Sequence, residues 1–168
     1  IAIEQEWSID ETVREIVTSP NGRKVICIHF IIDEADIETN LRHPKMLIGS
    51  DGIPELKGNP HPRLFGTMPR VLSRYVRERK VLSLEEAIRR MTSASCERFG
   101  LVDRGLVREG YWADLVLFDP ETVQDLATYE NPKQEPAGIS MVVVNGQVAY
   151  EAGKHTGVGS GQMLRFKR

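Results

Sequence analysis

Residues 24–52 read KVICIHFIIDEADIETNLRHPKMLIGSDG, and the class of fold turns on how this stretch is parsed. Residues 24–32 are rich in β-branched side chains and apolar on both faces, which suits a strand covered on both sides in a parallel sheet. A helix then runs from Asp33, with Asp36 three positions on, to about Leu41, and Pro44 closes it. Residues 45–50 supply a second short strand through Met46, Leu47 and Ile48, which ends at Asp51 and Gly52. Strand, helix, strand in this order is the alternation of a parallel α/β sheet.

Working outward, Ser8 and Glu11 form a capping box, and Ile9, Val13, Ile16 and Val17 recur at helical spacing. The pattern predicts a helix over 9–18, ended by Pro20, Asn21 and Gly22. On the other side, residues 52–66 carry Pro54, Gly58, Pro60 and Pro62 and no periodicity, a long loop of the kind that often holds function. Pro69 stands where a helix begins, with Val71, Leu72, Tyr75 and Val76 as its apolar face through about Arg79. Ser83 and Glu86 read as a second capping box, opening a helix that buries Leu84, Ala87, Ile88 and Met91 and stops near Phe99 and Gly100.

After Gly100 the pattern changes to short strands at 106–107, 114–118, 141–144 and 147–150. Asn145 and Gly146 join the last two in a type I′ hairpin turn. The residues from His155 onward form an extended tail.

Composition excludes more than it identifies. The 22 Lys and Arg against 24 Asp and Glu leave a net charge of −2, which gives no reason to expect nucleic acid or an anionic membrane as partner. The longest apolar run, 25–32, is interrupted by His29 and falls far short of the roughly 20 residues a membrane span needs. Cys27 and Cys96 show no CxxC spacing, and both are expected to be reduced and buried. The expectation is a soluble cytoplasmic protein. Because the chain starts at Ile1 with no signal-like segment, it is also expected to be cut from something longer.

Asp51 is the first candidate for chemistry. It sits at the carboxyl end of a short buried strand, before a long loop, where the working residues of α/β barrels lie. Such an acid also caps turns in many proteins. In the loop, Arg63 has the planar fork that clamps a substrate carboxylate, and it is equally suited to pairing with a neighbouring acid. His61 has no second His or Cys at ligand spacing, which favours a structural or supporting role over metal binding. His29 lies inside a strand as a core group, and His43 and His155 look like loop residues without partners. Arg70, Arg74 and Arg77 line one helix side without interleaved aromatic residues, a solvated face or one paired with carboxylates rather than a nucleic-acid stripe.

The succession Ile48-Gly49-Ser50-Asp51-Gly52, His61-Pro62-Arg63, Gly66-Thr67-Met68-Pro69-Arg70-Val71-Leu72 and Arg74-Tyr75-Val76-Arg77-Glu78 resembles the D-aminoacylase (N-acyl-D-amino-acid deacylase) family of the amidohydrolase superfamily. Residues 82–93 resemble the last barrel helix of that superfamily, and 110–120 with Val144-Asn145-Gly146 resemble its C-terminal β unit. The resemblance implies the C-terminal part of a (β/α)8 barrel over 1–100, a segment of a small β-sandwich over 101–154 and a tail over 155–168. The predicted strands at 24–32 and 45–50 would be the seventh and eighth of the barrel, since a whole barrel takes about 250 residues.

The activity implied is zinc-dependent cleavage of N-acyl-D-amino acids to a carboxylate and a free D-amino acid. Asp51 would be the catalytic acid and base, and Arg63 and His61 are the substrate-binding candidates, Arg63 from its position and chemistry. No metal ligand is assigned here, because the family's His-x-His pair, cysteine ligand and later histidines belong to earlier strands. An isolated chain is therefore expected to lack activity and, with unpaired β edges, to self-associate. The alternatives are an amidohydrolase acting on a cyclic amide or on N-acyl-D-glutamate or aspartate, and a non-catalytic assembly module.

Overall fold

A computed structural model describes residues 2–20, 31–54 and 58–165 of the chain. Its internal contacts divide it into two units, Ile1–Asp33 and Glu34–Arg168.

The first unit holds a one-turn helix α1 (Ala2–Gln5) and α2 (Ile9–Thr18). The Ser8 capping box is complete: the Ser8 hydroxyl accepts the Glu11 amide at 3.2 Å, and the Glu11 carboxylate accepts the Ser8 amide at 2.8 Å. The apolar stripe of α2 is real but unburied, with Ile9 77% and Val17 64% exposed. The strand predicted over 24–32 falls mostly outside the described residues. Its last two, Ile31 and Ile32, are exposed and belong to no strand.

In the second unit the order is α3 (Glu34–Arg42), α4 (Arg63–Arg70), a π-helix (Val71–Glu78), α5 (Leu84–Met91), α6 (Ser93–Arg98), and strands β1 (Leu115–Phe118), β2 (Ile139–Val144), β3 (Gln147–Glu151) and β4 (Lys154–His155). The strands form one antiparallel sheet in sequential order. Asn145 (φ 48°) and Gly146 (φ 80°) both take the left-handed conformation that the type I′ turn demands.

Several expectations are corrected. Residues 45–50 form no strand, because a strand exists through its hydrogen-bonded neighbour and no described strand pairs with it. Ile48 is nevertheless buried in the core. Residues 106–107 are likewise not a strand, and Val107 is 90% exposed.

The helix expected to start at Pro69 starts six residues earlier, at Arg63, and holds Pro69 inside it. A proline there removes one amide donor and crowds the carbonyl four residues back. Immediately after it the chain widens into the π-helix, with bonds such as Arg79 N–H to Arg74 O at 2.8 Å. The single helix expected over 84–99 is broken at Thr92 (φ −128°, ψ −94°), whose hydroxyl donates to Ile88 O at 2.7 Å. The second capping box is half made: Ser83 accepts the Glu86 amide, while the Glu86 carboxylate turns to Arg89 and Arg90.

The core gathers Leu41, Ile48, Val71, Leu72, Tyr75, Ala87 and Val123. Arg90 lies within it, its side chain 5% exposed, donating to Leu41 O (2.6 Å), His43 O (3.1 Å) and Glu86 (2.6 Å). A cation thus satisfies the free carbonyls at the end of α3. Between β1 and β2, residues 120–130 run along α4 and the π-helix. Arg77 donates to Pro120 O (3.1 Å), Val123 O (2.7 Å) and Gln124 Oε1 (2.7 Å), and Arg70 pairs with Asp125 at 3.4 Å. Gly66, inside α4, leaves the space that the Asp125 carboxylate fills; a Cβ there would run into it.

Substitutions at Arg90 and Gly66 test this packing. Arg90→Met should lower the unfolding free energy by about 2–3 kcal/mol in urea titration, since it strands buried carbonyls; a loss below about 0.5 kcal/mol would mean they are satisfied otherwise. Arg89, then Arg90, push the Glu86 carboxyl down to about 2. That pairing is fully present above about 4.5, the ordinary value, and is lost as pH falls toward 2, so the gap between wild type and Arg90→Met should narrow across that window. Gly66→Ala, which in an unobstructed helix stabilises by about 0.5–1 kcal/mol, should here destabilise by about 1–2 kcal/mol. In an Asp125→Ala background it should stabilise again, and a double-mutant cycle with no coupling would refute the close approach.

Candidate active site

The chain leaves the core at Ile48 and turns outward through Gly49 and Ser50, which puts Asp51 in solvent with its side chain 83% exposed. Ser50 holds the turn: its hydroxyl accepts the Gly52 amide at 3.0 Å and reaches Arg63 O at 3.4 Å. That tie draws the two ends of the loop together. Arg63, the first residue of α4, places Nη2 2.8 Å from Asp51 Oδ2. Its side chain is 39% exposed, while its Nε is buried with no hydrogen-bond partner among the described residues. The two strongest sequence candidates therefore touch each other, and the neighbouring-acid role open to Arg63 is realised in this pair.

His61 lies beside them. Its Nδ1 accepts the Arg63 amide at 3.1 Å, capping the first turn of α4, where Pro62 supplies no side-chain cap. Its Nε2 lies 3.5 Å from the Tyr129 hydroxyl, and the two rings meet edge to face with centroids 5.3 Å apart. Burial, then the Arg63 charge, push the imidazole below its ordinary value, against the opposing pull of Asp51.

His61 and Arg63 line a cleft of about 550 Å³, with Gly66, Thr67, Arg70 and Tyr75 on one side and Asp125, Tyr129 and Glu130 on the other. Arg70, Arg74 and Arg77 do not form a free basic stripe. Arg74 pairs with Glu34 of α3 at 3.0 Å, holding the Glu34 carboxyl below its usual range, and the other two hold residues 120–125.

The other histidines are elsewhere. His29 and Cys27 fall outside the described residues. His43, expected to lack partners, accepts the Lys45 amide on Nδ1 at 3.3 Å and gives its carbonyl to Arg90. His155 contacts Glu135 at 3.0 Å and stacks edge-on with Tyr150. Cys96 is a free, half-buried thiol. Among the described residues no three of His, Cys, Asp or Glu come together, so these residues do not fit a metal centre of their own. No described helix is long and apolar enough to cross a membrane.

Sequence patterns missed Asp125, Tyr129 and Glu130, which lie in a stretch without periodicity. Gly66 was visible only as part of the family-like succession, not as a residue with a packing task.

Residues 10–150 match the model of the amidohydrolase family. The chain is 46% identical over 137 residues to a D-aminoacylase and 47% identical over 152 residues to an N-acyl-D-aspartate deacylase, both of Alcaligenes xylosoxydans xylosoxydans. These alignments take in 82% and 90% of the chain but only 28% and 29% of the relatives, so the chain spans less than a third of their length. A solved D-aminoacylase, studied for the one-metal activation and second-metal attenuation of its binuclear metal centre, superposes with a TM-score of 0.76 at 47% identity, covering 79% of this chain and 28% of that one. The chain therefore belongs to the amidohydrolase family, among the D-aminoacylases and their N-acyl-D-amino-acid deacylase relatives.

Proposed function

We propose that this chain is the C-terminal portion of a hydrolase that splits the amide bond of N-acyl-D-amino acids, giving a carboxylate and a free D-amino acid. In this proposal residues 1–100 belong to the C-terminal part of a (β/α)8 barrel, 101–154 to a small β-sandwich and 155–168 to its tail. The observation that carries it is the Asp51–Arg63 pair, an exposed carboxylate 2.8 Å from a guanidinium whose residue lines the cleft.

Asp51, exposed and at the end of the segment leaving the core, takes a proton from the attacking water as oxygen bonds to the amide carbon. When the C–N bond breaks it returns that proton to the nitrogen, so the amine leaves neutral rather than as an anion. Arg63 offers a planar fork to the α-carboxylate of the substrate, which competes with Asp51 for the guanidinium and sets the scissile bond beside the acid. A zinc ion, when bound, activates water and polarises the amide carbonyl. Its ligands would lie outside this chain, and the steps given to Asp51 and Arg63 run through no metal. The isolated chain would be inactive and would self-associate, and the protein would work in the cytoplasm.

A second reading, preference for N-acyl-D-aspartate or glutamate, stands beside it, since the chain is as similar to the aspartate deacylase (47% identity) as to the D-aminoacylase (46%). Turnover of N-acetyl-D-leucine against N-acetyl-D-aspartate by the full-length protein separates the two. In that protein Asp51→Asn should cut kcat by roughly 10²–10⁴-fold. Arg63→Gln should raise KM by about tenfold or more, the worth of a charge-assisted hydrogen bond. Full activity of Asp51→Asn would remove this carboxylate from the mechanism.

A further inference from the structure

One wall of the cleft comes from far along the chain. Residues 120–130 are pinned to α4 and the π-helix by Arg77, by the Arg70–Asp125 pair and by the seat that Gly66 leaves for Asp125. The far end of this segment presents Tyr129 edge-on to His61, with an interplanar angle of 79°. On the opposite side of the imidazole, Nδ1 accepts the Arg63 amide. A neutral imidazole that accepts at Nδ1 carries its proton on Nε2, and this tautomer, assigned from its contacts, directs Nε2–H at the Tyr129 oxygen. Tyr129, His61, the Arg63 amide and, through the guanidinium, Asp51 thus form one continuous chain of contacts.

We propose that Tyr129 is a positioning residue for the substrate site: by fixing the plane and tautomer of His61, it holds the first turn of α4 so that Arg63 meets both Asp51 and the substrate carboxylate. This deepens the proposed function and rests on its assignment of Arg63.

The charged and titratable groups about His61 are Arg63 and Asp51 on its own side and Tyr129 on the facing segment, with Glu130 lining the same cleft. Protonation of His61 would put a hydrogen on Nδ1 against the Arg63 amide hydrogen, turning the cap into a repulsion. Arg63 is therefore held by neutral His61 and loosened as pH falls through the lowered imidazole pKa.

The test uses the full-length protein as wild type, Tyr129→Phe and Tyr129→Ala. Steady-state kinetics on N-acetyl-D-leucine are combined with imidazole ¹⁵N spectra, in which His61 is identified by its loss in His61→Gln. Tyr129→Ala is expected to raise KM about tenfold with kcat within about twofold. It should also move the His61 titration up toward about 6.5, the value of a solvated imidazole. Tyr129→Phe, which keeps the ring edge but not the oxygen, should fall between. An unchanged KM in Tyr129→Ala, or an unmoved His61 titration, overturns the proposal, as does an equal fall of kcat and thermal stability in both variants. The spectra need no turnover, so they report on Tyr129 even if Asp51→Asn remains active and the hydrolase reading fails.

Discussion

Arg77 is the hinge on which the second unit depends. A guanidinium has five donors in a fixed plane, and here it meets two backbone carbonyls and a side-chain amide of one irregular segment, at Pro120, Val123 and Gln124. An irregular stretch laid on a core would otherwise leave polar backbone without partners, a cost of about 1–3 kcal/mol for each buried group. With those carbonyls satisfied, Val123 can be fully buried beside Leu72 and Ala87, and the neighbouring Gln124 can bridge to Ala137 ahead of β2. The sheet is thereby fastened to the helices by a strap rather than by strand pairing, and the strap carries Asp125 and Tyr129 to the cleft.

The site lies at the opposite extreme of burial. Asp51 and Arg63 pair in the open, where an ion pair contributes about 0–1 kcal/mol to stability. Arg90, by contrast, is buried and held by three acceptors. The first pair is a poor structural device, and both of its groups remain open to solvent, as the proposed function requires. Their placement comes from the turn at Ser50, which ties the end of the 46–50 segment to the start of α4.

Local signals with complete chemistry were legible in the sequence. The Ser8 and Glu11 box, the Asn145-Gly146 turn and the helix over 34–42 each rest on neighbours a few residues apart, and each appears where the pattern puts it. Features that need a partner elsewhere are not legible in the same way. Residues 45–50 have strand composition but no described neighbour to pair with, and Glu86 gave its carboxylate to Arg89 and Arg90 instead of closing its box. Pro69 looked like a first-turn proline because nothing local shows that the helix has already begun at Arg63, capped by a histidine side chain. At the site, residue type and position picked out Asp51, Arg63 and His61, but Tyr129 is 68 residues from His61 and carries no local mark.

That distance bears on how substrate choice can change within such a family. The D-aminoacylase and the N-acyl-D-aspartate deacylase resemble this chain to nearly the same degree over nearly the same span. Under the proposed function, a difference in the side chain accepted would not come from the fold they share, and within this chain it would fall on positions that line the cleft. Two stretches of this chain do so beside the Asp51–Arg63 pair: residues 61–63 at the end of the loop, and Asp125 with residues 127–130 on the far wall. Residues 61–63 are tied to the turn at Ser50 and to the first turn of α4, so changes there would disturb the Asp51–Arg63 pair. The strap is anchored by Arg77 and Arg70 well behind its tip, which leaves Glu130 room to vary in charge and size, whereas the Thr128 hydroxyl accepts the Asn131 amide at 3.0 Å. On the proposed function, a change of specificity would therefore cost least at the tip of the strap, with Tyr129 the exception that the His61 contact constrains.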